Sequence, residues 1–329
     1  MVKTAERIAR ADIFDYEGAM KTIVVGPGAV GGLVGAMLAR SGEPVSFVAR
    51  GEALRLIQTD GIRIRAPGEE FSTGPLAASE SPQSLGSADL VLVAVKSWQV
   101  KELAPKLKPL LAQCTVVIPV QNGVEAADQL RAGLGDTPVA GGICHVISTL
   151  EAPAQISYRG RPPEITLGEL GGGVSARLRS VAEVLRRANC AVTLSENIRG
   201  DLWEKLLFVE PLGSVGAVTR ETIDVVRSIP ETRRLLTTAM LEIAQVAKGA
   251  GVELREGAFE RALKRVDSLT PGATASMQRD LMENRPSELS EQTGAVIRTG
   301  TAVQVNVPVH EFLWAALLPQ ETRARKKRL

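Results

Sequence analysis

From residue 21 onward the chain alternates short apolar runs with amphipathic stretches. Lys21–Gly26 reads as a strand through Ile23-Val24-Val25, and Ala29–Ser41 as a helix of small residues stopped by Gly42. Pro44–Ala49 is a second strand, and two short β-rich segments follow near Gly61–Arg65 and Phe71–Leu76. Asp89–Val95 is a continuous apolar run, of the kind buried on both faces of a parallel sheet. A helix is expected from about Trp98 to Leu111, a strand over Thr115–Pro119 and a helix near Val124–Leu130. Val139–Ser148, Ile156–Tyr158 and Glu164–Leu167 read as extended, and helix Ala176–Ala188 leads into strand Ala191–Leu194. The alternation predicts an α/β fold with a doubly wound parallel sheet and right-handed crossovers.

After Asn197 the pattern becomes helical: Arg199–Phe208, Ile223–Arg227, Thr232–Gly249, Ala258–Ser268, Ala275–Glu283, Ser287–Val303 and Val309–Leu317. Leu235, Leu236, Ala239, Met240, Ile243, Val246 and Ala247 recur at helical spacing, and Gly249 and Gly251 supply a stop. The expected organisation is an extension over residues 1–19, an α/β domain over 20–196, a helical domain over 197–319 and a basic tail over 320–329. Both ends are expected to lack fixed structure.

Composition changes this picture little. The chain has 329 residues, 44% hydrophobic and 23% charged, enough for two buried cores. Aromatic residues are only 3%, so those cores must rest on Ala, Val, Leu and Ile. A net charge of +2 argues against a nucleic-acid partner. No apolar run approaches the ~18 residues of a membrane span, and the first 19 residues lack a secretory apolar stretch. The expected location is therefore cytoplasmic, without a membrane partner. Cys114, Cys144 and Cys190 are widely spaced and odd in number, so neither a disulfide framework nor a zinc site is expected and each reads as a small buried filler. With His145 and His310 as the two histidines, no multi-histidine metal site is expected.

Candidate chemistry starts at Gly26-Pro27-Gly28-Ala29-Val30-Gly31, directly after the first strand. Glycines at a strand-to-helix turn let backbone N–H groups approach a pyrophosphate at the positive end of the helix dipole. This is the Rossmann-type arrangement, and Gly26, Gly28, Ala29, Val30 and Gly31 are its candidate cofactor contacts. The second strand ends at Arg50, where a cation favours a 2′-phosphate and hence NADPH; Glu52 nearby could instead serve a ribose. Lys96 follows the buried third apolar run and Gln121-Asn122-Gly123 the fourth, both at the carboxyl edge where open α/β sheets place ligands. Read alone, Lys96 is the first solvated residue after a strand and Asn122-Gly123 an ordinary turn.

Together these residues resemble the ketopantoate reductases (2-dehydropantoate 2-reductases). The marks are GPGAVG, Arg50, Val95-Lys96-Ser97-Trp98-Gln99, Gln121-Asn122-Gly123 and Ile198-Arg199-Gly200-Asp201-Leu202-Trp203-Glu204-Lys205-Leu206. Ser276-Met277 and Arg285-Pro286-Ser287-Glu288-Leu289 extend them into the helical part. The resemblance implies a Rossmann-type domain followed by an all-α domain similar to the 6-phosphogluconate dehydrogenase C-terminal fold, with the active site in the cleft between them. It implies reduction of a 2-keto acid by NADPH, ketopantoate to pantoate in pantothenate biosynthesis being the leading assignment. Lys205 would be the catalytic acid, protonating the oxygen on which charge grows as hydride attacks; without the resemblance it is a helix lysine facing water. Glu288, twelve residues after Ser276, would orient that lysine and contact the cofactor ribose or the substrate. Lys96 and Asn122 would serve the cofactor, while Asn122, Lys205 and Ser276 would hold the substrate. Asp280 is read as structural.

Two positions depart from the family pattern. Asparagines usual at four and eight residues beyond the lysine are here Val209 and Gly213, and Pro211 is expected to interrupt the helix. A substrate with a more apolar side chain is therefore one alternative, a related 2-keto or β-hydroxy acid dehydrogenase. A catalytically silent NADPH-binding sensor is another. A homodimer is the assembly expected.

Overall fold

The computed structural model describes residues 19–135 and 138–326, so most of the expected extension and the last three residues of the expected tail lie outside the described residues. The chain forms two compact units. The first runs up to Gln121 and resumes over Ala126–Ile198; the second combines Asn122–Glu125 with the chain from Arg199 onward.

The first unit contains a parallel sheet of β1 (Thr22–Val25), β2 (Val45–Val48), β5 (Ala77–Ser79), β6 (Ala88–Val93) and β7 (Leu111–Pro119), in the order β5-β2-β1-β6-β7. Strand β1 is central and buried on both faces. Val24 joins a core with Leu33, Phe47 and Ile156, while Ile23 and Val25 join another with Val100, Leu107 and Leu130. The chain leaves β1 for β2 on one side and returns to β6 on the other, so the order reverses between β1 and β6.

A second sheet, which the alternating pattern does not separate from the first, holds β3 (Arg63–Ala66), β4 (Glu69–Ser72), β8 (Ala140–Ala152), β9 (Gln155–Glu169) and β10 (Ala191–Ser195). Strand β9 is continuous where two short strands were expected, because it pairs antiparallel with β8 along nearly its whole length. Helix α1 (Ala29–Arg40) touches both sheets, and its glycines make that possible. A Cβ on Gly35 would lie 2.4 Å from Phe47 Cζ on β2, and one on Gly32 would lie 2.4 Å from Ile156 Cδ1 on β9.

Other helices of this unit are α2 (Gly51–Thr59), which the sequence reading missed, α3 (Val100–Leu103), α4 (Ala126–Leu134) and α5 (Ala176–Arg187). The helix expected over Trp98–Leu111 is α3 flanked by tighter 3-10 turns, in keeping with Pro105 and Pro109 removing backbone donors. Cys144 and Cys190 are buried as expected, but Cys114 is exposed because it lies in the solvent-facing first half of β7.

The second unit is all helical: α6 (Ile198–Thr219), α7 (Ile223–Ser228), α8 (Pro230–Gly249), α9 (Ala258–Asp267), α10 (Ser276–Met282), α11 (Thr293–Ala302) and α12 (Pro308–Lys326). Pro211 does not end α6, which runs eight residues further. Leu206, Leu207, Leu212 and Val215 on both sides of the proline are buried in one core, and their packing outweighs the loss of one backbone hydrogen bond. Residues 287–292, expected to be helical, are turns that precede α11. The basic segment from residue 320 to Lys326 is the last part of α12 rather than a tail. Glu321, only 3% exposed, fastens it by accepting from the Ser287 N–H at 3.0 Å, Ser287 Oγ at 2.6 Å and Arg325 Nε at 2.5 Å.

Candidate active site

In the first unit the glycine turn sits at the reversal of strand order, where open α/β sheets bind ligands. Gly26 has φ +98°, a conformation L-residues avoid, and a Cβ there would lie 2.8 Å from Val95 Cγ1 beyond the end of β6. Gly31 has no room either, since its Cβ would meet Gly26 O at 2.3 Å and Ala94 Cβ at 2.6 Å. Gly28 differs, having open space around the position a Cβ would take. It precedes α1 without a side-chain cap, and no acidic residue stands in the first turn. The leading N–H groups of a helix have no intrahelical partner, so those of Ala29, Val30 and Gly31 suit an anion. The turn thus fits a pyrophosphate on geometric grounds.

Neighbouring strand ends add polar groups along the same edge. Arg50 is exposed in extended backbone directly before α2, two residues beyond β2. Glu52, the rival ribose ligand, is held by Arg55 at 2.6 Å, and that guanidinium keeps its carboxyl below the usual range. Lys96 is exposed beyond β6 with its ammonium 5.7 Å from the Trp98 ring. Gln121, at the end of β7, donates Nε2 to the carbonyls of Val93 at 2.9 Å and Val95 at 3.1 Å, clamping the two strand ends together. Its Oε1 is buried without a partner, a ready acceptor for a ligand donor. No sequence signal marks Gln121 for this part, since its hydrogen bonds exist only once β6 and β7 are side by side.

In the second unit Lys205 lies on α6 and is 9% exposed, the only buried lysine or arginine among the described residues. In the same unit Asn122 and Glu288, far apart in sequence, are brought together: Asn122 Nδ2 donates to Glu288 Oε2 at 3.1 Å. Gln292 Nε2 donates to the same oxygen at 3.4 Å. Glu288 is 7% exposed and sits in the turns before α11, not in a helical first turn. Glu291 beside it has a buried Oε2 without a partner, and burial together with the Glu288 charge pushes its carboxyl up to about 6.

Ser276 opens α10 and is exposed. Its place is fixed by the next two residues, which seat on glycines of α6. Met277 stands 2.9 Å from the position of a Gly213 Cβ, and Gln278 Oε1 2.6 Å from that of a Gly216 Cβ. Gln278 Nε2 also donates to the Gly216 carbonyl at 3.1 Å. Asp280 is paired with Arg285 at 2.9 Å, in keeping with a structural part.

The family model for ketopantoate reductase PanE/ApbA matches residues 22–172, and the model for its C-terminal part matches residues 197–321. The chain belongs to the ketopantoate reductase family. It is accordingly an oxidoreductase with a Rossmann-type first unit, a helical second unit and a nicotinamide cofactor. A 2-dehydropantoate 2-reductase of Halobacterium salinarum is 30% identical over 295 residues, 88% of this chain and 95% of that protein. A PanE/ApbA family ketopantoate reductase from Ralstonia eutropha JMP134 superposes with a TM-score of 0.83 at 29% identity, over 92% of this chain and 99% of its own. A D-mandelate dehydrogenase solved with NADH and anilino(oxo)acetate has the same TM-score of 0.83 at 23% identity, covering 92% and 99%; at that identity the likeness is one of fold. No helix among the described residues is long and apolar enough to cross a membrane.

Proposed function

We propose that this ketopantoate reductase family member reduces a 2-keto acid to the 2-hydroxy acid with NADPH, ketopantoate being the leading substrate. The observation that carries the reading is the burial of Lys205 on α6, since a lysine is seldom enclosed without work for its ammonium. The reduced nicotinamide supplies the hydride. Lys205 donates a proton to the substrate oxygen as negative charge grows there, so one hydride and one proton convert the ketone to the alcohol. Glu288, held by Asn122, orients the lysine and receives a ribose or substrate hydroxyl. Ser276 donates to the substrate carboxylate. The leading N–H groups of α1 hold the pyrophosphate. Arg50 receives the 2′-phosphate, a role favoured by the engagement of Glu52 with Arg55.

A second reading of the substrate rests on Gly213. Met277, 1% exposed, fills the space beside it, so an asparagine at 213 would have to displace a packed side chain. With Val209 one turn earlier, this stretch of α6 presents no hydrogen-bonding side chain at either position, which suits a 2-keto acid with an apolar substituent. Rates of NADPH and NADH oxidation over a panel of 2-keto acids decide between them. A kcat/KM highest for ketopantoate supports the first reading and one highest for an apolar 2-keto acid the second. Turnover of no 2-keto acid with either cofactor overturns both.

A further inference from the structure

Besides Lys205, helix α6 carries a second buried ionisable residue, one that the reaction does not use. Glu210 is 0% exposed, on the helix whose Leu206 and Leu207 share a core with Ile243 and Val296. Its carboxylate accepts from Thr293 Oγ1 at 2.6 Å and from His310 Nε2 at 3.1 Å, while Ser214 Oγ donates to its backbone carbonyl at 3.0 Å. The other ring nitrogen of His310 donates to Glu242 Oε2 at 2.6 Å. Glu242 in turn accepts the backbone N–H groups of Val309 at 2.9 Å and His310 at 3.1 Å, the first turn of α12. An imidazole between two carboxylates keeps both its protons. The two carboxylates hold His310 protonated up to about 9 against the opposing effect of burial, and the imidazolium holds Glu210 below its usual range.

A core built only for stability gains little from such a cluster, because desolvating the charges offsets most of their attraction. Its location suggests a different use. Thr293 begins α11 and directly follows Gln292, whose side chain donates to Glu288 Oε2 and whose backbone N–H donates to the Glu288 carbonyl at 2.9 Å. The path from Glu210 through Thr293 and Gln292 therefore ends on the carboxylate that Asn122 contacts. Every link lies within the second unit.

We propose that Glu210 is a positioning residue, which anchors the start of α11 to α6 through Thr293 and, with His310, sets the Asn122–Glu288 contact. The proposal rests on the assignment of Glu288 to the active site. Glu210→Leu removes both hydrogen bonds with an apolar side chain of similar volume, and Glu210→Gln keeps an acceptor for Thr293 and an amide donor for a neutral His310. The readouts are kcat per folded molecule, KM for NADPH, and crystal structures of the full-length variants.

For Glu210→Leu we expect kcat to fall at least tenfold with KM for NADPH within twofold, and Asn122 Nδ2 to lie beyond hydrogen-bonding distance of Glu288 Oε2. Glu210→Gln should keep the contact and turn over within threefold of the unsubstituted enzyme. An intact Asn122–Glu288 contact in Glu210→Leu overturns the proposal, whatever its rate or melting temperature. If that variant does not fold, Thr293→Val removes the same link with the charged cluster left in place, and the same contact decides. An unsubstituted enzyme that turns over no 2-keto acid defeats the functional reading alone, because the crystallographic comparison still tests the positioning.

Discussion

Lys205 and Arg50 show how much a single side chain gains meaning from its place. Lys205 read by itself is a helix lysine facing water; the fold buries it, as the proposed general acid requires. Lys205→Ala is expected to lower kcat about 100-fold, the scale of a lost general acid, with the Kd for NADPH unchanged. Stopped-flow and fluorescence titration check the two halves, and a loss of only a few-fold would remove Lys205 from the reaction. Arg50→Ala should raise KM for NADPH by roughly 10- to 100-fold, the equivalent of a charge-assisted hydrogen bond, and leave KM for NADH alone. Equal effects on the two cofactors would contradict the 2′-phosphate role. The glycine turn, Arg50 and Lys96 stand out in the sequence as candidates because each follows an apolar strand within a few residues. The Glu210–His310–Glu242 cluster was not, since its members come from three helices and no spacing in the chain brings them together.

At the scale of elements, the sequence pattern located most helices and strands and failed where long-range pairing or packing decides. Strand β9 read as two fragments because polar Arg159–Pro163 interrupts its apolar alternation, yet β8 supplies a partner on both sides of the interruption. Helix α6 passes through Pro211 for a related reason, its buried face being fixed by neighbours the local sequence does not contain. The end of α12 was misjudged most plainly. Its arginines and lysines suggest a solvated tail, whereas one buried glutamate among them reaches Ser287 beside the catalytic candidate Glu288. Glu321→Ala is expected to cost about 3 kcal/mol, because the Ser287 N–H and hydroxyl, at 0% exposure, would lose their acceptor. Urea denaturation measures this, and a change below 1 kcal/mol would show the bonds to be replaceable.

For the molecule as a whole, the buried histidine predicts how stability follows pH. His310 binds its proton up to about 9 in the folded state, against 6.5 for the free side chain. The folded protein therefore holds more protons between these values, and the associated stability is complete below pH 6.5 and declines as pH rises to 9. The amount is on the order of 3 kcal/mol. Burial pushes the Cys190 thiol up to about 12 from 9.0, so its exposure on unfolding adds to the decline only as pH nears 9. Unfolding free energies measured from pH 6.5 to 9 should fall, and a flat profile would mean that His310 is neutral in the core.

The short excursion of residues 122–125 has a practical meaning for anyone who would take the protein apart. The chain enters the helical unit for four residues, returns to complete the α/β unit, and only later supplies the remaining helices. Those four residues are integral: Asn122 bonds Glu288, Val124 packs on the helical core, and Glu125 pairs with Arg298 at 2.7 Å. A gene fragment beginning at Ile198 would encode every helix of the second unit and still lack a half-buried segment packed against them. Such a fragment should be less stable than the same fragment supplied with a peptide covering 120–126, and equal melting of the two would show the piece to be dispensable. During synthesis the ribosome releases that segment long before its partners exist, so it must wait, already made, for the last third of the chain to fold around it.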